Sequence, residues 1–173
     1  MYLIIFGPHG AGKGTQAKKL SEHHGIGYIS TGDIIRENIK NDTTFGKKVK
    51  EFIDKNVYVP DKLVNVIIGV KLKQYAHKGF ILDGYPRTIS QAEFLDKVFK
   101  ELGVKLDAVI SLKVNKEELI RRMIERGKTE KRTDDTEEGI RSRMNEYETK
   151  AEPVIEYYRK KGLVIDINGD RPI

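Results

Sequence analysis

Tyr2-Leu3-Ile4-Ile5-Phe6, followed at once by Gly7-Pro8-His9-Gly10-Ala11-Gly12-Lys13-Gly14-Thr15, is the stretch that decides the fold. The apolar run reads as a strand buried on both faces, and the glycine-rich segment as a turn leading into a helix. Glycines in such a turn let successive backbone N–H groups face phosphate oxygens, and the helix behind them adds the positive end of its dipole. Lys13 supplies a mobile cation for the outer phosphates. The pattern departs from G-x-x-x-x-G-K-[ST] in one place, since Gly14 stands where a hydroxyl residue belongs and Thr15 follows it. Strand, loop and helix in this order still make a nucleotide phosphate the expected ligand.

The remaining apolar runs, Gly27–Ile29, Gly79–Leu82, Ala108–Val114 and Leu163–Ile167, are short and separated by helical patterns. That alternation predicts an α/β fold: a P-loop NTPase-type parallel sheet covered by helices on both faces. Asp61 is placed to cap a helix running to about His77, and Ser90-Gln91-Ala92-Glu93 forms a capping-box pattern for a helix ending near Gly103. Asn115 with Glu118 opens a helix expected to stop at Gly127. A longer pattern runs from about Thr136 to Lys161, with Pro153 predicting a kink or a split. Residues 30–59 add two short helical patterns, and residues 127–136 read as a polar, charged loop. The expectation is one domain over 1–173 with two excursions.

Composition sets bounds on this reading. The 173 residues fit one domain with a full core. No run approaches ~18 apolar residues, so no membrane span is expected, and no secretory signal is apparent. With no Cys there is no disulfide or cysteine zinc site, which suits the cytoplasm. The net charge of +6 lacks a basic tail or basic residues interleaved with aromatics, which argues against a nucleic-acid partner.

Phe80-Ile81-Leu82-Asp83 is an apolar strand ending in a carboxylate, the arrangement that holds Mg2+ or its waters beside a phosphate loop. Gly84-Tyr85-Pro86-Arg87-Thr88-Ile89-Ser90-Gln91 then puts an Arg and a Gln on a stiff turn. Ser30-Thr31-Gly32-Asp33-Ile34-Ile35-Arg36 opens a helix after the second strand. Ligands of open parallel sheets collect at the carboxyl ends of the strands, so Lys13, Arg36, Asp83 and Arg87 are expected to converge on one crevice.

In these segments, and in Arg132–Glu138 (RTDDTEE) and Glu152-Pro153-Val154-Ile155, the chain resembles the adenylate kinase family of nucleoside monophosphate kinases. The Gly14-Thr15 departure is itself usual in that family. The resemblance implies reversible transfer, Mg·ATP + AMP ⇌ 2 ADP, in a cytoplasmic monomer. It implies that residues 30–59 are a monophosphate-binding flap and residues 127–136 a short lid. Gly10, Ala11, Gly12, Lys13, Gly14 and Thr15 would hold the ATP phosphates. Thr31, Arg36, Val57, Tyr58, Val59, Gly84, Tyr85, Pro86, Arg87 and Gln91 would hold AMP. Of the lid and hinge arginines, Arg122 would lie against the ATP adenine. Arg126, Arg132 and Arg143 would approach phosphates, the last two shared with AMP, and the Arg171 backbone would touch the ATP adenine. Lys13, Arg87, Arg126, Arg132 and Arg143 form the implied catalytic set, with Asp83 holding Mg2+ through water.

Chemistry supports the same assignment. The attacking group would be a phosphate oxygen, ionised at neutral pH because a phosphate monoester loses its second proton near ~6. No general base is needed. Cations around the equatorial oxygens are needed, and one Lys with several Arg supplies them. Gln91 is of the type that reads adenine bidentately. His9 stands where the family usually has Pro. The lid lacks metal-binding Cys or His, so no zinc is expected, and a last helix usual in the family is missing after Ile173. Rival readings are a UMP/CMP kinase, a kinase acting on a metabolite hydroxyl, an ATP-dependent binding module and a basic RNA-binding protein.

Overall fold

Side chains of β1 (Tyr2–Phe6) alternate between two apolar layers, and the rest of the fold follows from that alternation. The computed structural model describes residues 1–54, 59–130 and 137–170. After β1 come α1 (Lys13–His24), β2 (Gly27–Ser30), α2 (Thr31–Lys40), α3 (Thr44–Asp54) and α4 (Asp61–Tyr75). They are followed by β3 (Phe80–Asp83), α5 (Ile89–Leu102), β4 (Ala108–Lys113), α6 (Lys116–Glu130), α7 (Glu137–Arg159) and β5 (Val164–Asn168).

Ile4 and Phe6 face a layer built with Ile68 and Leu72 of α4, Leu95 and Phe99 of α5, and Val154 and Tyr158 of α7. Leu3 and Ile5 face the other way, onto Ala17 of α1 and Leu119 and Met123 of α6. β3 repeats the division, with Phe80 and Leu82 on the first side and Ile81 on the second. The period of two therefore assigns each helix to a face. Ile4, Ile68, Leu72, Phe80, Ile81, Leu82 and Leu95 are fully buried, so truncating any one of them to Ala costs about 2–5 kcal/mol.

The sheet is parallel throughout, in the order β2-β3-β1-β4-β5. The chain leaves β1 toward one side to make β2 and β3, then crosses to the other side for β4 and β5. The crevice at the carboxyl end of β1 is therefore a switch point of the kind that binds ligands. Register sets its depth: Asp83 lies opposite Ile5 of β1 and Ser30 of β2, which brings the loops after all three strands to one edge.

Several boundaries differ from the sequence expectation. Asp83 closes β3 as expected, but the strand begins at Phe80, one residue after the start of the apolar run at Gly79. α4 ends at Tyr75, because the N–H groups of Lys78 and Gly79 both turn back to the Tyr75 carbonyl at 3.0 Å. Asp61 does not cap α4. Pro60 occupies that position, and Asp61 is the first helical residue. α5 is capped by Thr88 in place of Ser90, its side chain accepting from the Gln91 N–H at 3.1 Å. α6 begins as expected, with Asn115 Oδ1 accepting from Glu117 N–H at 3.0 Å, but it continues through Gly127 to Glu130. Residues 127–130 are thus helical, and 131–136 lie outside the described residues. α7 passes through Pro153 as one helix, which removes the split.

Candidate active site

The loop after β1 is shaped by two residues that only glycine accommodates well. Gly10 and Gly12 have φ of 83° and 84°, in the left-handed region. Gly10 also packs so closely on α6 that a Cβ there would sit 2.8 Å from Met123 Cγ. Gly12 is the N-cap of α1 and brings no side chain to it, which leaves the first N–H groups of the helix facing the loop concavity. Lys13 Nζ donates to the Pro8 carbonyl at 2.9 Å, folding the lysine back over its own loop.

Asp83 stands beside this loop. Its Oδ2 accepts from the Tyr28 hydroxyl at 3.0 Å, and a Cβ on Gly14 would lie 3.6 Å from the same oxygen. A Cβ at position 14 would meet that oxygen at ordinary van der Waals distance, so Gly14 places the start of α1 directly beside the carboxylate. Burial first, then the neighbouring Asp83 carboxylate, pushes the Tyr28 phenol well above its ordinary range, so Tyr28 remains a donor.

The second cluster follows β3. Gly84, at φ 78°, turns the chain so that Arg87 Nε donates to the Gly84 carbonyl at 2.9 Å. The Tyr85-Pro86 peptide is cis. Tyr85 is buried and donates from its hydroxyl to Asn65 Oδ1 at 2.7 Å. Gln91, 1% exposed, accepts the Arg87 N–H on Oε1 and donates from Nε2 to Asp61 Oδ1, both at 2.7 Å. Its amide is thus held at both ends, each of which keeps a second hydrogen-bonding site, one N–H on Nε2 and one lone pair on Oε1.

Arg36 on α2 pairs with Asp33 at 2.5 Å. Burial works to raise the Asp33 carboxyl, but hydrogen bonds from Arg36 and Ser30, with the Arg36 and Lys18 charges, outweigh it and leave the group below the usual carboxylate range. On α6, Arg122 Nε donates to Glu118 Oε1 at 2.6 Å and its second arm reaches the Asp170 carbonyl at 3.4 Å. Hydrogen bonds from Arg121 and Arg122 hold the Glu118 carboxyl down at about 2.

These groups line one cleft of about 820 Å³. Gly10, Gly12, Lys13, Gly14, Thr15, Arg36, Asp83, Gly84, Pro86, Arg87 and Arg122 all border it, so the expected convergence of Lys13, Arg36, Asp83 and Arg87 is met. Ala11, Thr31, Tyr85 and Gln91 are buried behind it, and Val59 packs against the core. The Thr31 hydroxyl is buried without a hydrogen-bond partner. Val57, Tyr58, Arg132 and Arg171 lie outside the described residues, as do the side chains of Arg126 and Arg143.

The sequence reading missed Lys18, Lys19, Tyr28 and Lys150, all of which line the cleft. Thr15, Lys18, Lys19 and Glu22 share one face of α1 at three- and four-residue spacing, a signal available once the helix was placed. Seven Lys or Arg against four acidic side chains border the cleft among the described residues, which favours a polyanionic occupant.

A divalent ion fits Asp83 on its chemistry. The carboxylate is a hard oxygen donor between the phosphate loop and β3, and among the described residues no group of three or more His, Cys, Asp or Glu gathers to cage a metal. One carboxylate plus waters and substrate phosphates is the usual donor set for Mg2+.

Residues 5–163 match the family model described as adenylate kinase. The chain is 44% identical to adenylate kinase of Archaeoglobus fulgidus, over all of this chain and 93% of that protein. It is 46% identical to that of Leifsonia xyli, over 99% of this chain and 86% of the relative. Adenylate kinase of Thermobifida fusca is 44% identical over all of this chain and 92% of the relative. The Archaeoglobus alignment spans 201 positions against 172 for Leifsonia, so the archaeal relative carries residues within the matched span that this chain lacks.

Proposed function

This chain belongs to the adenylate kinase family, and from that premise we propose that it transfers the γ-phosphoryl group of Mg·ATP to AMP, reversibly, giving two ADP. The observation that carries the reading is the placement of two cationic clusters on one cleft. Lys13 and the start of α1 border it from the loop after β1, and Arg36 and Arg87 border it from α2 and the turn after β3. A triphosphate on the first and a monophosphate on the second would meet between them.

Gly10, Ala11, Gly12, Lys13, Gly14 and Thr15 would cradle the ATP phosphates, the Lys13 ammonium leaving the Pro8 carbonyl for the outer oxygens. Arg36 would exchange Asp33 for the AMP phosphate, a dianionic partner that offers more acceptors. Arg87, anchored through Nε to the Gly84 carbonyl, keeps its terminal nitrogens for the transferring group. Thr31, Val57, Tyr58, Val59, Tyr85, Pro86 and Gln91 would complete the AMP subsite. Arg122 would lie against the ATP adenine beside Arg171, its contact with the Asp170 carbonyl holding it there. Arg126, Arg132 and Arg143 would bring further charge to the transition state, where one such arginine is worth ~10³–10⁵ in rate. Asp83 and waters would hold Mg2+, which would supply positive charge to offset that of the phosphates.

Residues 30–59 serve in this reading as the monophosphate-binding flap and residues 127–136 as a short lid, closing to exclude water. A monomeric, cytoplasmic protein completes the proposal, and sedimentation and cell fractionation check it. The direct test incubates the protein with γ-labelled ATP and AMP. Label appearing in ADP, and lost in Lys13→Ala and Arg87→Ala, is the expected result. Release of free phosphate without labelled ADP would overturn it.

A further inference from the structure

Asp61 lies outside the cleft, at the first residue of α4, where the segment 30–59 returns to the body of the protein. Its carboxylate accepts two hydrogen bonds from residues far along the chain, Thr88 Oγ1 at 2.6 Å and Gln91 Nε2 at 2.7 Å. Gln91 Oε1 in turn accepts the Arg87 N–H at 2.7 Å, and Thr88 Oγ1 accepts the Gln91 N–H at 3.1 Å. The direction of every bond is forced. A carboxylate only accepts and a backbone N–H only donates, so the buried Gln91 amide satisfies both ends in one orientation alone.

We propose that Asp61 is a positioning residue for the monophosphate subsite, acting through Gln91 and Thr88 to hold the Arg87 turn against the base of the segment 30–59. The inference rests on the phosphotransfer reading above and deepens it. An acidic residue in the first turn of a helix also stabilises the helix through its dipole, and that role alone would change stability without changing nucleotide preference. Asp61 differs from such a residue because both its oxygens are spent on the loop that carries Arg87.

The test compares wild type, Asp61→Ala and Asp61→Asn, with the exposed Lys62→Ala as control. The measurements are AMP affinity by calorimetry, the KM for AMP and for ATP, and melting temperature. Loss of two hydrogen bonds to a carboxylate predicts a roughly tenfold weaker AMP interaction in Asp61→Ala, with the KM for ATP within about twofold of wild type. Asp61→Asn keeps an acceptor for Gln91 Nε2 and is expected to fall between the two. Equal losses for both nucleotides, or a lower melting temperature with AMP affinity intact, would overturn the proposal. If Asp61→Ala does not fold, Asp61→Asn decides on the same criterion. Wild type that binds AMP without transferring phosphate would sink the reaction but leave Asp61 to be judged by calorimetry. Wild type that neither binds nor phosphorylates AMP would end both readings.

Discussion

Tyr28 on β2 donates a hydrogen bond of 3.0 Å to Oδ2 of Asp83, the carboxylate that closes β3. The bond fixes the face the carboxylate turns toward the phosphate loop. Tyr28→Phe removes it while keeping the ring that packs on the second apolar layer. A carboxylate no longer held is expected to bind Mg2+ several-fold more weakly, while folding stability changes by only about 1 kcal/mol. A titration of rate against Mg2+ at fixed ATP, paired with metal binding to the enzyme–nucleotide complex, reads the effect. An unchanged Mg2+ requirement would remove Tyr28 from the metal site.

Arg36 and Asp33 are both more than half exposed, so their ion pair contributes little to stability. The same guanidinium on a phosphate is worth far more, since charge-assisted bonds to an anion are the strong ones. Arg36→Ala is therefore expected to raise the KM for AMP by roughly 10- to 100-fold. The melting temperature should barely move. Steady-state kinetics beside a thermal scan separate the two effects.

Gly46 is the point where α3 meets α2, and a Cβ there would lie 2.1 Å from the Asn38 carbonyl oxygen. Backbone cannot swing aside as a flexible side chain can. Gly46→Ala should force the two helices apart at a cost of about 1–3 kcal/mol. Hydrogen exchange is expected to quicken within residues 31–54 before it quickens in the sheet. Uniform acceleration across the protein would contradict a local effect.

Acid should weaken the α6 ion pairs in a defined window. The Glu118 carboxyl is held at about 2 in the folded protein by Arg121 and Arg122, below the ~4.3 of a free glutamate. Its folded value is depressed, so its contribution is fully present above ~4.3 and is lost as pH falls toward 2. The melting-temperature gap between wild type and Glu118→Gln should stay constant from neutral pH to about 5 and close below that. A gap that widens in acid would reverse the assignment.

Features carried by adjacent residues were legible in the sequence. The strand, the glycine loop and Lys13 stand within fifteen residues, and five apolar runs located each strand of the described residues to within a residue or so. Features set by distant partners were not. Asp61 read as a cap because its neighbours resemble a helix start, whereas its oxygens bond Thr88 and Gln91, 27 and 30 residues away. Gly127 read as a stop because a helix-ending glycine and a mid-helix glycine look alike in sequence, and the second costs only ~1 kcal/mol against alanine. Tyr28 belongs to no motif, and only the pairing of β2 with β3 brings it to Asp83.

The central claim is phosphoryl transfer to AMP, and product analysis with Mg·ATP and AMP, UMP, CMP or GMP in separate reactions tests it most directly. The account predicts rapid ADP formation with AMP, a kcat/KM well above that for the other three, and its loss in Lys13→Ala. Faster turnover of UMP or CMP, or no transfer to any monophosphate, would contradict it.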